Sequence, residues 1–178
     1  MDFNVDDYEL MPGVATVGGY SIPDEYFWYL WQKMVGAGID KVVFYSGRVK
    51  DAVGFATFMK FHTMPIVVVK KEDKVPVGVG WLTDAQDNRA FAHYAFLPEV
   101  WGNAKELGLM LQDFVFEMDS VELLLGIVPE WNKFAQGFTE KTGGVKLGTI
   151  PNICLSHTGE YGPGVLYYFT REIRDGRR

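Results

Sequence analysis

His93 stands in the middle of "RAFAHYAFL" (89–97), a run with the alternation of a β-strand, and no other side chain there titrates near neutrality. A histidine so placed either accepts a proton from a substrate or serves as hydrogen-bonded framework. Glu99, just beyond the strand, is a weaker base candidate and fits a solvated turn residue. The stretch "PEVWGNAKELG" (98–108) then opens a helix. Helix starts after strands present orphan amides and a positive dipole end, which suit an anion such as a phosphate. The same residues also read as a plain cap. Asn103 and Glu106 fit a capping box loosened to N-x-x-E, in which each side chain accepts from the other's backbone amide. Asn132, in "PEWNKFAQ", begins another helix after Pro129.

Other reactive types offer less. Cys154 is the only cysteine of the 178 residues, so neither an intrachain disulfide nor a cysteine-based zinc site is expected. With no recognisable histidine partner, it reads as a small core or loop residue. His62, His93 and His157 show no metal-ligand spacing. The net charge of −6, with basic residues clustered only in the tail "REIRDGRR", argues against nucleic acid as a partner. No apolar run nears the ~20 residues of a membrane span, and the acidic start "MDFNVDDYELMPG" lacks the regions of a signal peptide. A single cytoplasmic domain spanning 1–178 is expected.

These residues need elements to hold them. "SIPDEYFWYLWQKMVGAG" reads as a first helix, capped by Ser21 and ended by Gly36, with Phe27, Leu30, Trp31 and Met34 on one face. "RVKDAVGFATFMKF" is a second. "IVVVKKEDKVPVGVGWL" holds two β-branched runs around a polar turn, a hairpin signal, and 89–97 is the next strand. Leu107, Met110, Leu111, Phe114, Val115 and Met118 recur at helical spacing, followed by the apolar strand "VELLLGIV" (121–128). "WNKFAQGFTEKTGG" makes another helix closed by Gly143 and Gly144, and "VKLGTI" and "GVLYYFTREI" finish as strands. This order is a mixed α/β domain whose central strand-helix-strand unit needs a parallel crossover.

From about Ile66 to Ile150 the chain resembles the GNAT superfamily of acyl-CoA-dependent N-acetyltransferases. The stretches that carry the likeness are "VPVGVGWLTD", "YAFLPEVWGNAKELGLMLQDFVFE" and "LLLGIVPEWNKFAQGFTEKTGG". Asn132, Ala135, Phe138, Glu140, Lys141 and Gly143 fall in register with the family's second motif. The resemblance implies a GNAT-like mixed, twisted sheet with helices on both faces, splayed beside the strand 89–97. It also implies acetyl-CoA as co-substrate and direct attack by an amine. The pantetheine arm would lie along Ala95, Phe96 and Leu97 and beside Asn132. The pyrophosphate would lie on the turn Trp101, Gly102, Asn103, Ala104 and Lys105. His93 is the catalytic base candidate, and Trp28 and Trp31 are candidates to line the acceptor site.

The chain also departs from the family pattern. In the phosphate turn, Trp101 takes the place of arginine or glutamine, Ala104 that of the first glycine and Glu106 that of the second. This Trp-Gly variant resembles GNAT-like sequences of phage and prophage genomes. The tyrosine used as general acid falls at Thr139 and the aromatic after the motif glycine at Gly144, leaving Tyr161, Tyr167 or Tyr168 as substitutes. Two readings follow. One is an N-acyltransferase acting on a small-molecule or peptide amine. The other is a catalytically inactive protein of the same fold that binds a protein partner or a second copy of itself.

Overall fold

The structure, a computed structural model, describes residues 4–17, 19–118, 120–156 and 158–176. His157, the first three residues of the acidic start and the last two of the basic tail lie outside the described residues. In chain order the elements are β1 (Tyr8–Pro12), β2 (Ala15–Thr16), β3 (Gly19–Tyr20), α1 (Asp24–Gly36), α2 (Asp40–Val43) and α3 (Ala52–His62). Then come β4 (Met64–Lys70), β5 (Pro76–Gln86), β6 (Arg89–Phe96) and, after a 3-10 turn at Pro98–Asn103, α4 (Ala104–Glu117). The chain continues through β7 (Leu123–Pro129), α5 (Lys133–Lys141), β8 (Val145–Leu155), β9 (Tyr161–Thr170) and α6 (Arg171–Asp175).

Seven strands form one sheet in the order β1-β4-β5-β6-β7-β9-β8, and β2 and β3 pair separately. Every neighbouring pair in the large sheet is antiparallel except β6 and β7, which are joined through α4 and run parallel. Alternation then sorts the side chains into two layers. Along β4, Val67 and Val69 pack with Phe27, Leu30 and Met34 of α1 and Phe55 and Met59 of α3, while Ile66 and Val68 join Leu107, Leu111 and Val115 of α4. Helices therefore cover both faces of a mixed sheet. Asp24 and Lys60 form an ion pair between α1 and α3.

Local signals placed most elements, and two caps differ from expectation. Asp51 caps α3 by accepting from the Gly54 amide at 2.7 Å. Ser21 does not cap α1. Its hydroxyl accepts from the Val14 amide and donates to the Pro12 carbonyl, both at 2.8 Å, and so satisfies main chain leaving β1. Pro23 occupies the cap position with no side-chain bond. The capping box is also not formed, because Asn103 makes no side-chain cap bond at the start of α4. The preceding 3-10 turn supplies a different closure there, with the Ala104 amide donating to the Trp101 carbonyl.

Between β6 and β7 the sheet comes apart. The two strands pair only at Arg89, Ala90 and Phe91 against Leu123, Leu124 and Leu125. Beyond that point β6 stays on β5 and β7 stays on β9, so the sheet opens into a wedge.

Candidate functional site

The wedge is the neck of a cavity of about 680 Å³, a volume within the range of small-molecule sites. The cavity passes through the sheet. On one side it is lined by the α1–α2 connection at Ala37, Gly38 and Ile39, by Val42 and Val43 of α2, and by Tyr45. On the other it is lined by Trp101, by Ala104 of α4, and by Trp131 to Thr139 around α5. Residues Ala92 to Phe96 of β6 and Gly126 to Pro129 of β7 form the walls between.

Register decides which main-chain groups face the opening. The Leu97 amide donates to the Val77 carbonyl at 2.9 Å, so Leu97 faces β5. Antiparallel alternation then turns Ala95 and His93 toward β5 as well, opposite Val79 and Trp81. Tyr94 and Phe96 direct their main chain into the wedge. The Phe96 carbonyl is held there by the Trp101 indole Nε1–H at 2.8 Å. Trp101 thus takes over a ladder acceptor that lost its strand partner where β7 diverges. Of the main-chain positions expected to meet a pantetheine arm, Phe96 faces the wedge, whereas Ala95 and Leu97 are turned toward β5.

The remaining expected contacts divide in the same way. Trp101, Ala104 and Asn132 line the cavity with Ala95 and Phe96; Gly102, Asn103, Lys105 and Leu97 are not among the described lining residues. Gly102 and Lys105 are exposed on the turn, and Leu97 is fully buried under α1 and α3. Asn132 caps α5, its Oδ1 accepting from the Ala135 amide at 3.0 Å. Lys133 follows as the first residue of α5, a place where the helix dipole disfavours a cation, and it lines the cavity. Glu106 is exposed in the first turn of α4, where the dipole favours it.

His93 lines the cavity, half-buried, with its ring stacked on Trp81 at 5.2 Å between centroids and Nε2 3.0 Å from Thr83 Oγ1. Burial against the indole pushes its pKa down from 6.5 to about 4, only partly offset by the charge of Asp84. The imidazole is therefore neutral at pH 7 and able to accept a proton, but it is a weak base.

None of the three substitute tyrosines lines the cavity. Tyr167 is fully buried with its hydroxyl donated to Glu140 at 3.1 Å, and burial together with that carboxylate pushes it up to about 12. Tyr161 is exposed at the start of β9 and Tyr168 is half-buried along it. Thr139 does line the cavity, but its hydroxyl donates to the Ala135 carbonyl at 2.8 Å. An aromatic ring has no room at Gly144, where even a Cβ would lie 2.8 Å from the Thr139 carbonyl oxygen. The tyrosines that do reach the cavity are Tyr45 and Tyr94. Tyr45 donates to the buried Cys154 thiol at 3.7 Å, and burial raises the pKa of its hydroxyl above the usual phenol value.

Trp28 and Trp31 do not line the acceptor side. Trp31 is in the core beneath α1, and Trp28 faces outward. The lining from Ala37 to Tyr45 had no periodic signal, since α2 is four residues long. The dense aromatics of "WNKF" (131–134) were the one visible hint of the rim.

Neither a protein-family model nor any curated protein matches the chain in sequence. Solved structures do match in shape. A probable acetyltransferase of the GNAT family from Chromobacterium violaceum superposes with a TM-score of 0.76 at 14% identity, over 95% of this chain and 85% of that one. The spermidine N-acetyltransferase of Vibrio cholerae, solved with CoA and spermine, gives 0.74 at 14% identity over 95% and 98%. The ribosomal-protein-S5-alanine acetyltransferase of Vibrio fischeri gives 0.71 at 12% identity over 96% of each chain. This chain has the GNAT fold. At identities of 12–14% the likeness carries the fold.

Proposed function

We propose that the protein is an acyl-CoA-dependent N-acyltransferase that uses acetyl-CoA and transfers the acyl group directly to an amine. The observation that carries this reading is the wedge between β6 and β7, a cleft lined by elements from both faces of the sheet. Two substrates entering from opposite faces meet in it without passing each other. The face with α4 and α5 suits the CoA portion. There the Phe96 main chain points into the opening, the first turn of α4 lies at the mouth, and Lys133 supplies positive charge. The face with α2 suits the amine.

In this arrangement the Phe96 N–H is the donor for the oxyanion that develops on the thioester carbonyl. Trp101, by holding the Phe96 carbonyl, fixes the orientation of that peptide. His93 accepts the proton released by the attacking nitrogen. Thiolate is a good enough leaving group to depart without a side-chain acid, and the proton reaches it afterwards through water. Asn132 positions α5 and Lys133 by capping the helix.

Calorimetric titration with acetyl-CoA, desulfo-CoA and ADP tests the reading. Micromolar binding of acetyl-CoA, with a measurable contribution from the ADP half, is expected. Absence of heat at millimolar ligand would overturn it.

A further inference from the structure

The acceptor side of the cavity is made of flat rings and branched aliphatic groups. Ile39, Val43 and Tyr45 close it from the α1–α2 side, Trp81 and His93 complete it, and Trp131 reaches Tyr45 from the α5 side. Trp81 is stacked between Phe44 and His93, at 5.8 Å and 15° from the one and 5.2 Å and 10° from the other. Trp131 meets Tyr45 edge-on at 6.2 Å. Among the described residues no aspartate or glutamate lines any part of the cavity, and its one charged lining side chain, Lys133, is itself a cation. The carboxylate that acts on His93, Asp84, is exposed and is not part of the lining.

An alkylammonium ion entering this space would give up its hydration with no carboxylate to replace it, a desolvation penalty that cation–π contact with the rings offsets only in part. An amine whose nitrogen is uncharged at neutral pH escapes that penalty. Aromatic amines are of this kind, because the nitrogen lone pair is delocalised into the ring, and the ring suits stacked and edge-on walls. We infer that the acyl acceptor is an uncharged aromatic amine. The inference rests on the acyl transfer proposed above and names the substrate class of the same site.

The chemistry balances on the groups present. The neutral nitrogen attacks the thioester carbonyl carbon, forming the C–N bond and placing the negative charge on oxygen. The nitrogen of that tetrahedral species is cationic and strongly acidic. In the tautomer whose Nε2–H donates to Thr83 Oγ1, 3.0 Å away, Nδ1 keeps its lone pair and takes the proton. The C–S bond breaks with its electron pair going to sulfur, and the proton that left nitrogen ends on the thiol. A base held near pKa 4 serves this step, whereas it would remove little proton from a free alkylammonium.

Release of CoA thiol from acetyl-CoA, measured at neutral pH with p-anisidine, phenethylamine and spermidine, tests the class. The value of kcat/KM for p-anisidine is expected to exceed the other two by at least about tenfold. Preference for either alkylamine overturns the inference. So does failure to acetylate p-anisidine by a protein that binds acetyl-CoA in the calorimeter. Failure to bind acetyl-CoA overturns the proposed function itself, and the acceptor class falls with it. Val43→Asp supplies the missing carboxylate and should move the preference toward phenethylamine by about tenfold, with the acetyl-CoA heat retained as proof of folding. An unchanged preference in that variant also overturns the inference.

Discussion

Replacing His93 with glutamine should flatten the acid side of the stability curve. In the folded protein the imidazole titrates at about 4, against 6.5 for an unperturbed histidine. Above pH 6.5 neither state binds the proton, so the residue adds no pH dependence. As the pH falls below 6.5 the unfolded chain takes up a proton that the folded chain refuses, and stability drops. The loss is complete below about 4, where both states are protonated. At about 1.4 kcal/mol for each pH unit between the two values, the total is about 3 kcal/mol. Glutamine keeps a polar group facing Thr83 Oγ1 and cannot titrate. Urea unfolding of both proteins at constant ionic strength, from about pH 7 to pH 4, isolates the effect, since the carboxylates cancel in the difference. The wild-type protein should lose about 3 kcal/mol more than the variant over that window, most steeply near pH 5. Parallel curves would refute the reasoning, as would an NMR titration of the folded His93 ring with a midpoint near 6.5. A functional corollary is that His93 ionisation leaves kcat/KM flat above about pH 5.

Trp101→Phe keeps the ring beside Phe134 but removes the indole donor to the Phe96 carbonyl. It should cost about 1 kcal/mol in urea unfolding and weaken acetyl-CoA binding in calorimetry. Asn132→Ala should lower stability by about 1 kcal/mol through loss of its cap, whereas Asn103→Ala, which breaks no cap bond, should leave the unfolding midpoint in place. Gly126→Leu enters open space, with nothing within 4 Å of a Cβ built there. Stability should stay within about 0.5 kcal/mol while acetyl-CoA affinity falls at least tenfold, and unchanged affinity would move the CoA site elsewhere. Glu106→Gln removes a negative charge from the first turn of α4 and should tighten acetyl-CoA binding severalfold at low salt, the gain shrinking as salt is added.

The elements whose cause is local were legible. β-branched runs around "KKEDK" gave the β4–β5 hairpin, and apolar spacing gave α4. The continuous apolar run 121–128 gave β7, although its residues alternate between half-buried and buried rather than being buried on both faces. β1 was not anticipated, because its "YELMP" has neither alternation nor a β-branched residue and it exists by pairing with β4. Ser21 and Asn103 illustrate a second limit. Both have the right chemistry for helix caps, but one is drawn to main chain leaving β1 and the other sits at a junction already closed by a 3-10 turn. The opening of the sheet beside the strand 89–97 was also legible, through the resemblance of the motifs around it.

By itself the sequence determined a mixed α/β domain, a parallel strand-helix-strand unit, and a histidine and an asparagine at the edges of that unit. Each follows from residues within one or two turns of chain, where periodicity and capping operate. Tertiary structure alone decided that β6 and β7 part after three pairs, and that Tyr94 and Phe96 rather than Ala95 and Leu97 turn their main chain into the gap. It also decided that the far wall of the gap is Val43 and Tyr45 rather than Trp28 and Trp31. The weak basicity of His93 comes from the same level, since the indole that desolvates it and the hydroxyl that holds it lie on the neighbouring strand. Strand register, burial and cavity lining are relations between distant segments, so no single stretch of sequence encodes them.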